Sequence, residues 1–586
     1  MSLKCWTSDE EKRLLKKRID VAAGRIPADM VIQNAKIVDV FSGKILEGDI
    51  AVSDGVIAGI GSYTGHTLYD AGGKYAIPGL IDGHMHIEST NVTPEELGRM
   101  IVPLGTTTII ADPHEIVNVC GITGLNYMLD ASKKTVLDIK YMVPSCVPAT
   151  PFEHSGAVIG AKQMQEPIKN AQILGLGEFM NIFGVVNAEP EVLDKILTAK
   201  NHGKFVDGHS PGVTGHALDA YIAAGIHTDH ECSTVEEMNE RISRGMYVIL
   251  REGSACRNLE TLLHGVTPYN SRRCLLCTDD FHMHTLLNEG HMDKHLRLCV
   301  KNGIDPITAI QMATLNAAEC YGLDDRGAIA CGRRADIVLV DDLKDFRVQQ
   351  VFVEGCEAAC EGRYLLPYER QDSTCVHGSF HVKDFSAEKL KLHLKTGHVH
   401  VIDILPGGIL TKKSEAEVNI DSEGEFVWNS EQDIVKVAVI ERHKNTGNVG
   451  CGFLRGYGIK QGAVAISIAH DSHNIITVGI SDEDIETAVN QIIAQEGGIA
   501  LVKNGQVIET MPMVIGGIMS DQSGLWVGEK LSDIYKTIEE ELKVNPLIDP
   551  LMTLAFMSLP VIPELKMTDT GLFDVTKNAC ISLEVD

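Results

Sequence analysis

The sequence has little positive charge and contains no basic block. Its 586 residues include 80 Asp and Glu against 52 Lys and Arg, which gives a formal net charge of −28. Nucleic acid and anionic membranes are negatively charged and attract positive protein surfaces. We therefore expect neither as a partner, whereas a small uncharged substrate is compatible with this composition.

The sequence also lacks long apolar runs and a disulfide framework. It has no run of about 18 apolar residues, so we expect no membrane-spanning helix. The N-terminal segment "MSLKCWTSDEEKRLLKKRID" is charged and helix-like, without the apolar centre of a secretory signal. The 15 cysteines are scattered, and Cys274 and Cys277 have no second pair at zinc-ribbon spacing, so we interpret these two as small buried residues of a strand. These features predict a protein of the reducing cytoplasm.

What is present indicates several domains, because a chain of this length exceeds one hydrophobic core. Short alternating segments with Gly and Asp-Gly turns occupy residues 30–78 and return in residues 331–366. We interpret them as one small β domain formed from both flanks of an insertion. Residues 1–29 are predicted to be a helical segment. Residues 367–586 mix β-like and helical runs and are predicted to form an independent α/β domain.

The insertion, residues 79–330, alternates regularly between strand and helix patterns. Eight strand–helix units over such a length are typical of a (β/α)8 TIM-like barrel, which is the predicted fold. The candidate strands are "LIDGHMHIE", "TTTIIADPHE", "IKYMVPSCVPA", "ILGLGEFMN", "KFVDGHSP", "IHTDHEC", "YVILREGS" and "CLLCTDD". Among the candidate helices are "TPEELGRMIVPLG", "EPEVLDKILTAKNHG", "TVEEMNERISRG" and "DPITAIQMATLNAAECYG".

Ionisable side chains follow nearly every predicted strand, at the face where parallel barrels carry their active sites. Crowding them into one mouth costs desolvation and repulsion, and a bound cation reverses that cost. His84 and His86 are two residues apart on a strand and therefore share a face. The strand-end groups are His84, His86, Glu88, Asp112, His114, Glu115, Glu178, His209, His230, Asp279 and Asp280. Imidazoles with carboxylates suit zinc, iron or manganese, so the sequence predicts a metal site in the barrel mouth.

Two motifs frame the barrel and identify a resemblance. "PGLIDGHMHIEST" resembles the first-strand signature of the amidohydrolase superfamily, and "GAIACGRRADIVLVD" resembles its exit from the barrel. Within that superfamily the chain is most similar to the bacterial adenine deaminase family, through "ADPHEIVNVCG", "LGEFMN", "DGHSPG", "CTDD" with "NEGHMD", and "IERHKNTGNVGCGFLRGYGIKQGAVAISIAHDSHNIITVG". The resemblance covers nearly the whole chain, and it implies purine salvage by hydrolysis of adenine.

The resemblance implies a centre of two divalent ions, manganese or iron and alternatively zinc. His84 and His86 match the ligands of the more buried ion, and His209 and His230 match those of the second. Glu178 stands where many relatives carry a bridging carbamylated lysine, so a carboxylate bridge is implied. The remaining assignment is Asp279 as metal ligand and proton carrier, with Asp280 as its rival.

The implied reaction is attack of a metal-activated hydroxide on C6 of adenine, with Asp279 handling protons. The donor to ring nitrogen N1 is left open, because "DGHSPG" has no Glu after the fifth-strand histidine. His114 either contacts the ring or caps a turn. The candidates for N1 are Glu88, Glu115, Asp280 and Glu289.

Alternatives from other classes stay open at this point. A cyclic-amide hydrolase of the dihydroorotase or hydantoinase type would keep the barrel and change the substrate, and a metal-free scaffold would keep only the fold. We expect a homo-oligomer. The tail segment "HDSHN", residues 470–474, is interpreted as a surface turn, with a contribution to the pocket as the weaker alternative.

Overall fold

The computed structural model describes residues 8–407 and 409–585. The first seven residues of the predicted N-terminal segment, and residues 408 and 586 of the predicted C-terminal domain, lie outside this part. None of the helices within the described ranges is both long and apolar enough to cross a lipid bilayer. The cysteines of these ranges are free thiols, and Cys274 and Cys277 are buried on a strand, as predicted.

The chain begins with helix α1 (Asp9–Ala22), which starts after a capping box formed by Ser8 and Glu11. A small sheet follows and combines both flanks of the central insertion. Its N-terminal strands are β1 (Ala28–Asp39), β2 (Lys44–Ser53), β3 (Val56–Gly61), β4 (Gly65–Asp70) and β5 (Tyr75–Pro78).

The insertion contains a strand at each of the eight predicted positions. These strands are β6 (Leu80–His86), β7 (Thr106–Ala111), β8 (Asp138–Val143), β9 (Ile173–Phe179), β10 (Phe205–Gly208), β11 (Thr228–Asp229), β12 (Tyr247–Arg251) and β13 (Cys274–Cys277), followed by β14 (Asp279–Asp280). The helices between and after them are α2 (Pro94–Ile101), α3 (His114–Ala131), α4 (Ala161–Met164), α5 (Ile182–Val186), α6 (Pro190–Asn201), α7 (Gly215–Ala223), α8 (Val235–Ser243), α9 (Leu259–Leu263), α10 (Met283–Glu289), α11 (Met292–Lys301), α12 (Pro306–Met312) and α13 (Leu315–Cys320).

The strands of the insertion form a curled parallel sheet in two ladders, which is a TIM-like architecture. One ladder has the order β10-β9-β8-β7-β6-β14 and the other β11-β12-β13. The residues after β13 return to the first strand of the barrel, because Asp279 and Asp280 pair with Met85 and His86. Where the ladders meet, the backbone N–H of His227 donates to the Val206 carbonyl at 2.9 Å.

One predicted helix is divided in two. The segment "DPITAIQMATLNAAECYG" forms α12 and α13, and Thr314 between them has φ −144° and ψ −84°, outside the helical region. The Thr314 hydroxyl donates to the Ile310 carbonyl at 2.6 Å. This side-chain bond competes with the backbone ladder, as threonine commonly does, and lets the chain turn at the end of the barrel.

After the barrel the chain completes the small sheet and then builds the C-terminal domain. The returning strands are β15 (Ile337–Val340), β16 (Val348–Val353), β17 (Cys356–Cys360) and β18 (Arg363–Tyr364), and they extend the first sheet in the order β18-β17-β16-β15-β5-β1-β2-β3, with β4 beside β1.

The C-terminal domain is a mixed eight-stranded sheet with helices and a small additional sheet. Its large sheet has the order β20-β19-β22-β21-β24-β23-β25-β26. The elements are β19 (His398–Ile404), β20 (Thr411–Glu417), β21 (Ile434–Ile440), β22 (Val449–Arg455), β23 (Ala463–Ile466), β24 (Ile475–Gly479), α14 (Asp482–Ala494), β25 (Gly498–Lys503), β26 (Gln506–Pro512), α15 (Gly524–Thr537), α16 (Pro550–Phe556), β27 (Leu565–Thr568), β28 (Gly571–Asp574) and β29 (Ala579–Cys580).

The C-terminal domain packs directly on the barrel through buried apolar residues and hydrogen bonds. The Ser520 N–H donates to the Asn91 carbonyl at 2.8 Å, and the Gly524 N–H donates to Glu96 Oε1 at 2.9 Å. A buried apolar cluster runs without interruption from the barrel helices into the large C-terminal sheet. The two domains therefore share one core, and the C-terminal domain covers the side of the barrel that holds the strand ends.

Candidate active site

The ends of β6, β9 and β14 bring two histidines and two carboxylates together. His84 and His86 are both buried at the end of β6. His86 Nε2 lies 3.1 Å from Glu178 Oε1 and 3.1 Å from Asp279 Oδ1. His84 Nε2 lies 3.7 Å from the same Glu178 oxygen and 3.6 Å from the same Asp279 oxygen. Four of the predicted ligands, two histidines and two carboxylates, thus meet in one buried volume.

The second oxygen of Glu178 faces a different pair of histidines. His209 Nδ1 lies 2.8 Å from Glu178 Oε2, and His230 Nε2 lies 3.4 Å from it. The rings of His84 and His230 are stacked with centroids 4.1 Å apart, so the two pairs adjoin each other. Glu178 therefore presents one carboxylate oxygen to each histidine pair, which is the arrangement that a bridging ligand requires.

Two glycines in the local sequence allow this close convergence. A Cβ atom on Gly177 would lie 2.0 Å from Asp112 Oδ2, and that carboxylate accepts from the Glu178 N–H at 2.9 Å. A Cβ atom on Gly208 would lie 2.3 Å from the Thr228 carbonyl of the neighbouring strand. Only glycine leaves room at these positions, so "GLGEF" and "DGH" place Glu178 and His209 where a larger residue would separate the strands.

Asp279 faces the histidines, and the adjacent Asp280 points elsewhere. Asp279 has φ +61°, a left-handed conformation that turns the chain after β13. Its other oxygen, Oδ2, accepts from Arg251 Nη1 at 2.7 Å. Asp280 instead accepts from the Ser89 hydroxyl at 2.5 Å. The geometry thus favours Asp279 over Asp280 as the residue on the histidine side.

The carboxylates of the cluster are ionised, as metal ligands are, and its histidines differ in charge. Burial opposes ionisation of Glu178, but the neighbouring imidazoles of His209, His230 and His86 hold the pKa of its carboxyl well below the usual range. Burial likewise opposes ionisation of Asp279, and the Arg251 guanidinium holds its pKa well below normal. Burial lowers the pKa of His84, which favours its neutral form. Burial also opposes protonation of His86, His209 and His230, but the surrounding carboxylates outweigh it and raise the pKa of these three imidazoles. A bound cation would have to displace their protons. Anionic carboxylates and a neutral imidazole are the forms that bind divalent metals.

The unpaired atoms of the cluster also fit metal ions. Among the described residues, His84 Nε2, Glu178 Oε1 and His209 Nε2 are buried and have no hydrogen-bond partner. The opposite ring nitrogen of His86, Nδ1, lies 2.9 Å from the Asp112 carbonyl, which orients Nε2 toward the carboxylates. Buried polar atoms without partners cost free energy unless a ligand satisfies them. The residues present therefore fit divalent metal ions.

His114 and Glu115 begin helix α3 and line the same cavity from the second strand. His114 Nδ1 lies 3.3 Å from Glu178 Oε1, and its Nε2 lies 3.6 Å from Asp471 Oδ1 of the C-terminal domain. Glu115 Oε1 lies 3.0 Å from His470 Nδ1. Both residues thus lie between the cluster of predicted metal ligands and the C-terminal domain.

Two other predicted substrate contacts do not reach the cavity lining. Glu289 is held by Arg257 at 2.9 Å and by Lys294 at 2.6 Å on the outer side of α10, contrary to the expectation that it contacts the substrate. Glu88 is buried and accepts from the Ile116 N–H at 3.1 Å, but it does not line the cavity. Burial and the neighbouring Glu115 raise the pKa of Glu88 to about 8.

Sequence reasoning missed two residues that hold the site in place. Glu231 follows His230 directly and lies 3.4 Å from its Nε2 and 3.6 Å from His209 Nδ1. Arg251, the last residue of β12, connects Glu231 and Asp279. The signal was available, because "DHEC" and "ILREG" place an acid and a base at the ends of two adjacent barrel strands.

The cavity has a volume of about 540 Å³ and two walls of different origin. We call them the barrel wall and the C-terminal wall. The barrel wall contains His86, His114, Glu115, Glu178, His209, His230, Glu231, Arg251, Asp279 and Asp280. The C-terminal wall consists of Pro406, Gly407, Ile409, Leu410, His470, Asp471, Phe556, Leu559, Ile562 and Pro563.

The prediction that "HDSHN" forms a surface turn is wrong. Residues 470–474 are all buried, and His470 and Asp471 line the cavity. Hydrogen bonds from the barrel side hold the segment, since the Asn474 side-chain amide donates to the His154 carbonyl at 2.9 Å. The backbone does turn here, since the His473 N–H donates to the Ala469 carbonyl at 2.7 Å, but the segment is buried against the barrel.

The chain has many relatives of known family. The family description "Adenine deaminase C-terminal domain" matches residues 408–579, and "Amidohydrolase family" matches residues 75–357. "Adenine deaminase 2" of Desulfotalea psychrophila is 59% identical over 573 residues, which covers 98% of this chain and 100% of that protein. "Adenine deaminase" of Ligilactobacillus salivarius is 52% identical over 577 residues, with the same coverage of 98% and 100%. The chain therefore belongs to the adenine deaminase family of amidohydrolases.

Proposed function

We propose that this protein hydrolyses adenine to hypoxanthine and ammonia. The observation that carries the proposal is the Glu178 carboxylate, whose two oxygens face two separate histidine pairs at one cavity. Its surroundings suit a hydrolytic attack on an aromatic amine, because a polar wall faces an apolar wall across a cavity of about 540 Å³. Adenine is the substrate named for the relatives that align with nearly the whole chain.

The proposed metal ligands are His84, His86 and Asp279 for one ion, and His209 and His230 for the other, with Glu178 shared. Manganese or iron, and alternatively zinc, suit imidazoles combined with carboxylates. When bound, such ions lower the pKa of a water molecule and so supply hydroxide near neutral pH. Glu178 would offset the repulsion between two cations, because its negative charge lies between the two histidine pairs that would hold them.

The chain's own residues handle the protons. Asp279 Oδ1 faces the histidines while Arg251 fixes Oδ2, so one carboxylate oxygen is free to accept a proton from water and return it to the departing amine. Glu115 and Asp280 border the cavity close to this point, and Asp280 is the proposed source of the proton for N1. Asp280 suits this role, because burial raises the pKa of its carboxyl to about 6. Glu115 suits this role less, because burial raises the pKa of its carboxyl but the charge of His470 outweighs burial and holds the pKa well below the usual range.

The finer architecture is also proposed. The two parallel ladders are taken as one closed (β/α)8 barrel over residues 79–330, supported by the bond between His227 and Val206 where they meet. The other proposed divisions are residues 1–29, 30–78, 331–366 and 367–586. We further propose a cytoplasmic homo-oligomer, supported by the free thiols and by exposed apolar side chains such as Phe41 and Leu68. Sedimentation velocity tests the assembly.

The direct test is ammonia release by the manganese- or iron-loaded protein with adenine, adenosine and cytosine. Dihydroorotate is assayed beside them by the formation of carbamoyl aspartate, because its hydrolysis opens the ring and releases no ammonia. Rapid release from adenine and slow release from adenosine is the expected result, since the relatives that align with nearly the whole chain are named for adenine. Turnover of dihydroorotate would favour the cyclic-amide hydrolase, and turnover of adenosine or cytosine without adenine would overturn the proposal. A protein that binds no metal and releases no ammonia would point to a scaffold.

A further inference from the structure

Two ionisable residues of the C-terminal wall, His470 and Asp471, have no part in the hydrolytic steps described above. Both are buried, and both line the cavity. The backbone of His470 is fixed, because its N–H donates to the Ala555 carbonyl at 3.1 Å and its carbonyl accepts from the Ser558 hydroxyl at 3.1 Å. The position of His470 at the wall is therefore set by the packing of two C-terminal segments against each other.

The imidazole ring of His470 is also fixed. Its Nδ1 lies 3.0 Å from Glu115 Oε1 on the barrel wall. One face of the ring stacks on Phe556, with centroids 4.6 Å apart and an angle of 27° between the planes. Because the ring is already held from two sides, binding of a ligand costs no further conformational entropy there. Such preorganisation is typical of a binding site.

The remaining ring nitrogen has no partner. His470 Nε2 is buried and makes no hydrogen bond within residues 8–407 and 409–585. Beyond His470 and Asp471, the residues of the C-terminal wall are apolar or glycine, so the wall itself supplies no acceptor side chain to Nε2 except Asp471. Because His470 lines the cavity and its Nε2 is buried without a partner, a hydrogen bond with the polar edge of a flat heterocycle would satisfy this atom.

We propose that His470 is a substrate-binding residue whose Nε2 forms a hydrogen bond with a ring nitrogen of adenine. This proposal rests on the proposed function and extends that function, because it assigns the orientation of the substrate to the C-terminal domain. Adenine lies against the apolar side chains of this wall, and its single polar contact there directs C6 toward Glu178 and Asp279 on the barrel wall.

The charge of His470 agrees with a donor role. Burial lowers the pKa of His470, but the negative charges of Asp280 and Glu115 outweigh it and raise the pKa to about 9. Asp471 raises it as well. A protonated ring donates from both nitrogens, so Nδ1–H serves Glu115 and Nε2–H serves an unprotonated ring nitrogen of the purine.

A third cation site is the competing use of the same residues. Glu115, His470 and His473 offer ligand atoms that all lie within 4.8 Å of one another, and both ring nitrogens of His473 lack partners among the described residues. His473 does not line the cavity. The two uses differ in one respect: a cation site needs His473 as much as His470, whereas a substrate contact needs only His470.

The experiment compares His470→Asn and His470→Gln with the neighbouring control His473→Asn, all loaded with manganese. We expect the His470 variants to raise KM for adenine about 10- to 100-fold, the loss typical of one hydrogen bond from a charged group. We expect kcat to fall less than KM rises, and metal content to stay at the wild-type value. His473→Asn should keep KM within about 3-fold of wild type.

Competitive inhibition by 1-, 3- and 7-deazaadenine locates the contact. One analogue should bind the wild type about 10- to 100-fold more weakly than the other two analogues do. That analogue alone should have the same affinity for His470→Asn as for the wild type. The wild-type comparison needs no folded variant. Three analogues with equal affinity for the wild type, or an unchanged KM in folded His470 variants, would overturn the proposal.

Metal analysis separates the remaining outcomes. Loss of one ion per chain in both His470→Asn and His473→Asn would assign a cation site and overturn the substrate contact. A wild type that binds metal but forms no hypoxanthine would overturn the proposed function itself, and in that case the deazaadenine series is read from ligand binding by calorimetry. The two failures are therefore distinguishable.

Discussion

The barrel wall and the C-terminal wall enclose the same cavity but are built by different means. On the barrel wall twelve of the lining residues are acids, arginines or histidines, and Asp279 among them is held by Arg251. The barrel side also contributes a smaller number of uncharged residues, such as Met180 and Ala255. On the C-terminal wall only His470 and Asp471 ionise, and apolar side chains surround them. The two walls therefore differ in role. The barrel wall supplies the charged groups for the reaction, and the C-terminal wall supplies shape and a single polar contact for recognition.

The sharpest way to test this division is to remove the proton carrier of the barrel wall. We expect Asp279→Asn to lower kcat at least about 10³-fold, because an amide can ligate weakly through its oxygen but cannot carry a proton. Asp280→Asn should cost far less, about 10-fold, since its carboxylate bonds to Ser89 rather than facing the histidines. Hypoxanthine formation is the measurement, and thermal melting checks that both variants fold. An inactive Asp280→Asn beside a near-normal Asp279→Asn would reverse the assignment.

The next largest effect is expected at the shared carboxylate. Glu178→Gln keeps the shape of the side chain but removes the negative charge between the two histidine pairs. We expect loss of at least one metal ion per chain after dialysis and a fall in kcat of about 10²- to 10³-fold. A wild type that saturates at one ion, or a variant that holds two with full activity, would show that Glu178 is only a structural neighbour.

The same division explains how much could be predicted from the sequence. Side-chain alternation in strands and the placement of active sites at the ends of parallel strands pointed to His84, His86, Glu178 and Asp279 without a structure. The C-terminal wall comes from three loops far apart in the chain, at residues 406–410, 470–471 and 556–563. No periodicity links such segments, because tertiary packing alone brings them together, and "HDSHN" therefore resembled an exposed turn.

Glu289 shows the opposite error. The residue was one of four candidates for the proton donor to N1, and nothing in the sequence distinguished between them. The actual position is decided by charge, since Arg257 and Lys294 hold the carboxylate at the outer side of α10. Competition between a basic neighbour and a ligand cannot be judged from spacing alone.

Arg251 tests whether the pairs of the barrel wall matter for catalysis. We expect Arg251→Gln to lower kcat about 10- to 100-fold, because Asp279 and Glu231 lose the guanidinium that orients both. Arg251→Lys should recover only part of this loss, since an ammonium lacks the planar fork that engages two carboxylates. Metal content measured beside kcat shows whether the effect is on orientation or on binding. Full activity in Arg251→Gln would mean that the histidines alone fix Asp279.

On the C-terminal wall the effects should appear in KM rather than kcat. Phe556→Leu keeps an apolar side chain but removes the ring that stacks on His470. We expect KM for adenine to rise about 2- to 10-fold, the range for an aromatic pair, with kcat nearly unchanged. Leu559→Met, a substitution of similar volume on the same wall, is the control and should change neither constant. A loss confined to kcat would contradict the division between the two walls.

The smallest effect on activity is expected behind the C-terminal wall, where a lysine is buried. Lys566 Nζ donates to the Ile409 carbonyl at 2.8 Å and to the Phe556 carbonyl at 3.0 Å, and so connects two segments of the wall. Burial lowers the pKa of Lys566 to about 7, whereas an unfolded lysine has a pKa of about 10.4. Between these values the unfolded chain binds one more proton than the folded chain, so this residue makes stability increase as pH rises.

Lys566→Met removes that dependence and leaves two carbonyls without their donor. Wild type should therefore gain stability relative to the variant by about 1.4 kcal/mol per pH unit at most between pH 7 and pH 10, with the variant least disadvantaged near pH 7. Melting temperatures of both proteins across this range are the measurement, and Lys577→Met, whose side chain is 64% exposed, is the control. KM should change by no more than about 2-fold, because the wall keeps its apolar lining. A difference in melting temperature between wild type and Lys566→Met that stays the same at every pH would show that Lys566 keeps an ordinary pKa. The cation behind the wall would then have to be paired with a group other than the two carbonyls.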